Sequence, residues 1–150
     1  MASRSVHNRE IAPEPGGAAV RGLKQTRPTA LVLNAGSSSL KFALFELATE
    51  PLRLFEGSVL RIGADDSQLK ILDGVNAVLT DKAGPCVNHP AALDWAMMEL
   101  DSVVNVDAVD IVSHRVVHGG PDCDCPKLVT ARLEAYLRKL IPLAPLHLPA

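Results

Sequence analysis

Leu31-Val32-Leu33-Asn34-Ala35-Gly36-Ser37-Ser38-Ser39-Leu40-Lys41 is the stretch whose reading decides the fold. Thr29–Leu33 is a short apolar run of strand length, bounded by Pro28 on one side and by Asn34-Ala35-Gly36-Ser37 on the other. Leu40-Lys41-Phe42-Ala43-Leu44-Phe45-Glu46-Leu47 alternates well enough to be a second strand. Small polar residues between the two favour a turn, so the pair predicts a hairpin. The turn also carries chemistry. Backbone N–H groups and hydroxyls exposed by a Gly/Ser bend form a concavity suited to phosphate oxygens. Gly36 permits close backbone approach. The two-residue period of a strand puts Ser39 and Lys41 on one face, so a hydroxyl and an ammonium point toward the same anion. Asn34 adds a hard carbonyl oxygen suited to Mg²⁺, directly or through water. With one glycine and no Gly-Lys-Ser/Thr ending, the stretch is not a Walker A loop. On residue types alone, a plain polar turn is the competing reading.

Outward from the hairpin, residues 1–28 are punctuated by Pro and Gly and hold no sustained helical or strand period. Five basic residues against two acidic ones give this tail +3 and leave −5 for the remainder. It reads as a disordered extension. Its arginines invite comparison with a transit peptide, but Glu10, Glu14 and the prolines work against an amphipathic helix. C-terminal to the hairpin, Leu52–Ile62 reads as a third strand and Gly63–Ser67 as a loop. Gln68–Leu72 and Ala77–Thr80 read as short strands about an Asp73-Gly74 turn. In Pro90–Val104 the residues Ala92, Trp95, Ala96, Glu99 and Leu100 keep a helical period, with Pro90 near the start. Asp107–Val117 reads as a buried strand, and Thr130–Leu140 as a helix capped by Thr130. Strands followed by helix, strand and helix make a mixed α/β domain over 29–150.

Composition narrows the function. The chain has 150 residues, 47% hydrophobic and 21% charged, the balance of a globular domain with an ordinary core. A net charge of −2 and five aromatic residues give nucleic acid neither an electrostatic footprint nor stacking platforms. No apolar run approaches the ~20 residues of a membrane helix. Three cysteines, Cys86, Cys123 and Cys125, with no secretory signal, suit a reducing compartment. Cys123-Asp124-Cys125 has half the ligands of a metal site and no matching second pair.

Two further segments attract attention. In Ser113-His114-Arg115-Val116-Val117-His118-Gly119-Gly120, strand alternation puts Ser113, Arg115 and Val117 on one face. A guanidinium offers a planar fork for carboxylate or phosphate, and an isopropyl group beside it leaves room for a small alkyl chain. A site holding both selects a short amphiphilic carboxylate. His114 and His118 lack the third ligand a metal would need. The third segment, Leu143-Ala144-Pro145-Leu146-His147, sets a histidine in a proline-constrained loop beside an apolar Leu146.

Taken together, Leu31–Lys41, Ser113–Gly120 and Ala144-Pro145-Leu146-His147 resemble the acetate kinase family, with its propionate and butyrate kinase relatives. The resemblance covers residues 29 to about 149. It implies a ribonuclease H-like, actin-type ATPase lobe of the acetate and sugar kinase, Hsp70 and actin superfamily: a mixed sheet with flanking helices, incomplete here. It implies reversible, Mg²⁺-dependent transfer of a phosphoryl group from ATP to acetate in the cytoplasm, by an enzyme typically homodimeric. By matching positions, Asn34 looks like the magnesium residue. Gly36, Ser37, Ser39 and Lys41 look like the ATP- and phosphate-facing group, and Arg115 like the carboxylate-binding residue. Val117 and Leu146 look like walls of the acyl pocket, and His147 like a phosphate-proximal group. The family's catalytic aspartate falls beyond Ala150, so the resemblance implies a truncated N-terminal lobe, weakly active or inactive alone. A non-catalytic binding module is the alternative. Leu148 stands where family members usually carry Asn or Gln.

Overall fold

A computed structural model describes residues 27–121 and 123–143. Six strands form one sheet: β1 (Thr29–Ala35), β2 (Ser39–Glu46), β3 (Leu52–Leu60), β4 (Ser67–Asp73), β5 (Val78–Gly84) and β6 (Ile111–His114). Their order is β5-β4-β3-β2-β1-β6. The first five make an antiparallel meander, and β6 joins the far side of β1 in parallel. A parallel neighbour requires a crossover. It is supplied here by α1 (His89–Asp101), which packs across β2 and β3.

The ladder register explains which residues form the core. Leu31 faces Leu44, Leu33 faces Phe42 and Ala35 faces Leu40 across β1 and β2. Leu44 then faces Phe55, and Val59 faces Leu69. Residues directly opposite share a face, so these side chains form one continuous apolar surface. Alanines 92 and 96 and Leu100 of α1 close it, all fully buried. Each fully buried Leu, Ile or Val there contributes roughly 1.5–3 kcal/mol. Asn88 caps α1 by accepting from the Ala91 N–H at 2.9 Å. The helix begins one residue earlier than its proline suggests and ends at Asp101 rather than Val104.

Glu99 lies on the buried side of α1 because Lys82, on the core side of β5, reaches it at 2.6 Å. Removing Lys82 strands a buried carboxylate, whereas Lys70 meets Asp81 at 3.8 Å with both side chains well exposed. Lys82→Ala should therefore cost about 1–3 kcal/mol in urea unfolding, and Lys70→Ala no more than about 1 kcal/mol. Equal costs would remove the structural role assigned to the Lys82–Glu99 pair.

One expected element changes character. The run Asp107–Val117 is not a continuous buried strand. Val106–Ala108 forms a 3-10 turn, β6 holds four residues, and all four are exposed. A single-sided strand at the sheet edge keeps an apolar sequence without a cover on its outer flank. Its entry is fixed by Asp110, whose Oδ2 accepts from the buried Thr29 N–H at 2.8 Å. Thr130 caps α2 (Ala131–Leu140) by accepting from the Leu133 N–H, as its position predicts.

Candidate functional site

The face of the sheet opposite α1 carries a polar row. Asn34 of β1 lies directly across from Lys41 of β2. Lys41 lies across from Ser58, Ser58 from Lys70, and Lys70 from Asp81. A cavity of about 420 Å³ opens over this row, lined by Val32, Asn34, Lys41, Glu56, Ser58, Lys70 and neighbouring apolar groups; the Glu56 carboxylate is taken by Arg53. Lys70 meets Asp81, but Lys41 has no ion-pair partner among the described residues. An exposed ammonium without an ion-pair partner among the described residues, directly across the ladder from an amide side chain, is available to an anion from solution.

The bend between β1 and β2 ends this row. The Gly36 N–H donates to the Ser39 carbonyl at 2.7 Å, closing a tight tip at Ser37 and Ser38. His89, the first residue of α1, places Nε2 2.6 Å from the Gly36 carbonyl. The Ile62 N–H donates to the Ser38 carbonyl at 3.0 Å. Three carbonyls of the bend, those of Gly36, Ser38 and Ser39, thus accept hydrogen bonds, and Ser37 and Ser38 at its tip are exposed. A Cβ on Gly36 would sit 2.8 Å from the Ser39 Oγ, displacing the hydroxyl that shares a face with Lys41. Gly36→Ala should leave the fold intact and weaken phosphate binding several-fold, read by titration with magnesium ATP. Unchanged affinity would detach Ser39 from the site.

Arg115 lies just past β6, where its N–H donates to the Leu33 carbonyl at 3.0 Å. That bond continues the β1–β6 ladder by one step and sets the Arg115 backbone beside Asn34. The side chain is exposed and does not line the cavity over Asn34 and Lys41. Strand geometry stops at His114, so alternation no longer ties Val117 to Arg115. Val117 is exposed, and Val116 instead lines a second cavity of about 400 Å³ with His114, Cys123, Leu133 and Leu137. Gly120, at φ 71°, lets the chain turn against α2, where a Cβ would meet the Tyr136 hydroxyl at 2.5 Å. Leu146 and His147 lie outside the described residues. The structure therefore gathers Asn34, Gly36, Ser37, Ser39 and Lys41, and adds Arg115 at the level of the backbone.

Ser58, Lys70, Ile62 and His89 did not emerge from the sequence as site residues. The first two follow from register, which needs the pairing of three strands to be known. His89 and Ile62 are linked to the bend only through the tertiary fold. Among the described residues no group of three His, Cys, Asp or Glu side chains could hold a metal. Beside Lys41 the oxygen donors are the Asn34 amide and the Ser58 hydroxyl, while the Asp81 and Glu56 carboxylates are paired with Lys70 and Arg53. This set fits Mg²⁺ arriving with phosphate and water ligands, the usual coordination of that ion, rather than an all-protein cage.

A sequence model described as the acetokinase family matches residues 29–150. The acetate kinase of Coprothermobacter proteolyticus is 40% identical over 124 residues, 79% of this chain and 30% of that protein. That of Deinococcus radiodurans is 41% identical over 120 residues, 80% of this chain and 29% of that protein. The crystal structure of Porphyromonas gingivalis acetate kinase superposes with a TM-score of 0.74 at 31% identity, over 82% of this chain and 32% of that one. A propionate kinase from Francisella tularensis gives 0.65 at 28% identity, over 82% and 31%. The chain thus spans about 30% of the length of the relatives it matches. The matched region opens at the first residue of β1 and takes in the bend, the polar row and the segment around Arg115; this chain belongs to the acetokinase family.

Proposed function

We propose that residues 29–150 form the N-terminal lobe of a kinase that phosphorylates acetate from ATP, reversibly, in the cytoplasm. The terminal P–O bond to ADP breaks, and a P–O bond to a carboxylate oxygen forms, giving acetyl phosphate. The observation that carries this reading is the register of Asn34 with Lys41, which has no ion-pair partner among the described residues, beside the exposed bend. Backbone N–H groups and the hydroxyls of Ser37 and Ser39 orient the phosphates. Lys41 offsets charge that develops as the phosphoryl group moves. Asn34 would hold Mg²⁺, which when bound neutralises phosphate charge. Arg115 binds the acid's carboxylate, Val117 and Leu146 bound its alkyl end, and His147 stands near the phosphate.

Phosphoryl transfer depends on groups placed on both sides of a cleft. The described residues supply one side, so the 150-residue chain should yield little hydroxamate when acetate, ATP and hydroxylamine are supplied. Turnover equal to that of a complete acetate kinase would contradict this. Grafted onto the remaining portion of the Coprothermobacter relative, residues 29–150 should restore hydroxamate formation. Arg115→Ala in that chimera should raise the KM for acetate at least about tenfold, the scale of one charged hydrogen bond. A folded chimera inactive on both acetate and propionate would overturn the functional reading.

The likeness to a propionate kinase keeps a longer acyl group in view. Val117→Ala in the chimera should shift preference toward propionate, and an unchanged ratio of kcat/KM values would remove Val117 from the acyl pocket. A non-catalytic binding module is the other reading, favoured by the exposed flank of β6. Failure of the chimera together with retained phosphate binding by the chain would support it.

A further inference from the structure

The residue that joins α1 to the bend is His89. Its Nε2 lies 2.6 Å from the Gly36 carbonyl oxygen, across 53 positions of sequence. A carbonyl oxygen can only accept, so Nε2 must carry the proton. The ring is half-buried, and its backbone is fixed by the Asn88 cap at the start of α1. The segment that leads into the helix is also tied down. The Gly63 N–H donates to the Cys86 carbonyl at 2.7 Å, and the Cys86 N–H to the Ala64 carbonyl at 3.3 Å. The buried Ser67 hydroxyl lies within hydrogen-bond distance of the carbonyls of Arg61 and Ala64, at 2.7 and 2.9 Å. The same loop supplies the Ile62 N–H that holds the Ser38 carbonyl. Two anchors therefore grip the bend, and each is braced against the other.

We propose that His89 is a positioning residue for the phosphate bend. By donating Nε2–H to the Gly36 carbonyl, it fixes the Gly36–Ser37 peptide at the base of the exposed tip. This deepens the functional reading above and rests on it. His89 touches no substrate; it acts through the backbone of Gly36. A ligand that must find several N–H groups already aimed loses affinity when one peptide is free to rotate. The ring does more than pack beside the bend, because its effect depends on a proton at one named atom.

The test uses the 150-residue chain. Nitrogen-15 shifts of the wild-type imidazole should show Nε2 protonated at neutral pH; the Nδ1–H tautomer would overturn the proposal. His89→Ala should weaken magnesium ATP binding about tenfold, the scale of one hydrogen bond. It should speed exchange of the Gly36 amide by a similar factor while leaving β4 and β5 amides unchanged. His89→Gln, which retains an N–H donor, should recover most of both losses. Unchanged Gly36 exchange in His89→Ala overturns the proposal, as does a glutamine variant no better than alanine. Should His89→Ala fail to fold, the wild-type tautomer and the glutamine variant still decide it. Should the wild-type chain bind no magnesium ATP, the functional reading of the bend fails, while tautomer and exchange still judge the role of His89.

Discussion

Lys41→Ala should weaken binding of magnesium ATP to this chain by about 10–100-fold, the range expected when a charged hydrogen bond to phosphate is removed. Lys70→Ala should change it by no more than about threefold, the factor that corresponds to about 0.7 kcal/mol and so lies within the range of a screened surface charge. Both lysines line the same cavity, and both stand on the same row of the sheet. What separates them is their company. Lys70 already meets Asp81, whereas Lys41 faces the amide of Asn34 and has no carboxylate partner among the described residues. Lys41 is also exposed, so its removal leaves the core untouched and the thermal midpoint nearly constant. Isothermal titration of the two variants checks this. Equal losses from both would mean that the cavity attracts anions only through its summed charge.

Gly57→Ala should destabilise the fold by about 3 kcal/mol, the upper end of ordinary overpacking. Gly57 lies across from Phe42, and a Cβ there would sit 2.3 Å from the Phe42 Cζ. It would also sit 2.8 Å from the Lys70 carbonyl oxygen, which is backbone and cannot rotate aside. The Phe42 ring is buried in the core between β1, β3 and α1, so its own retreat opens a void. Urea unfolding should show a lower midpoint at constant slope. In a Phe42→Leu background the same substitution should cost clearly less, because the ring is half of the conflict. A loss below about 0.5 kcal/mol in the wild-type background would mean that the sheet yields more easily than its packing implies.

The hairpin was legible because its signals are local. The apolar run before Asn34, the small polar turn and the alternation after Leu40 lie within a few residues of one another and all point the same way. The same holds for Ser39 and Lys41, whose shared face follows from a period of two, whereas the place of Asn34 across from Lys41 follows from the β1–β2 register. The α2 cap at Thr130 and the buried stripe Ala92, Ala96, Glu99 and Leu100 follow from the helical period. The apolar run from Asp107 to Val117 misled because hydrophobicity marks burial only when something covers it. At the sheet edge β6 is short, and its exposed flank leaves the alternation from Arg115 to Val117 without a ladder to enforce it. His89 was illegible for a different reason. A histidine at a helix start carries no local mark of the carbonyl it will reach, and that partner lies in another element. Lys82 beneath Glu99 is similar: the helix period shows that Glu99 turns inward, but only the sheet register supplies its cation.

In the proposed function the β1–β2 bend and the Asn34–Lys41 pair grip the phosphates of a nucleotide. Amide NMR of the chain during titration with magnesium ATP tests it most directly. The largest shift changes should fall on Gly36, Ser37, Ser38, Ser39 and Lys41, saturate with nucleotide, and be reproduced in part by inorganic phosphate with Mg²⁺. Saturable binding that perturbs β4, β5 or α2 while leaving residues 34–41 silent would contradict the claim.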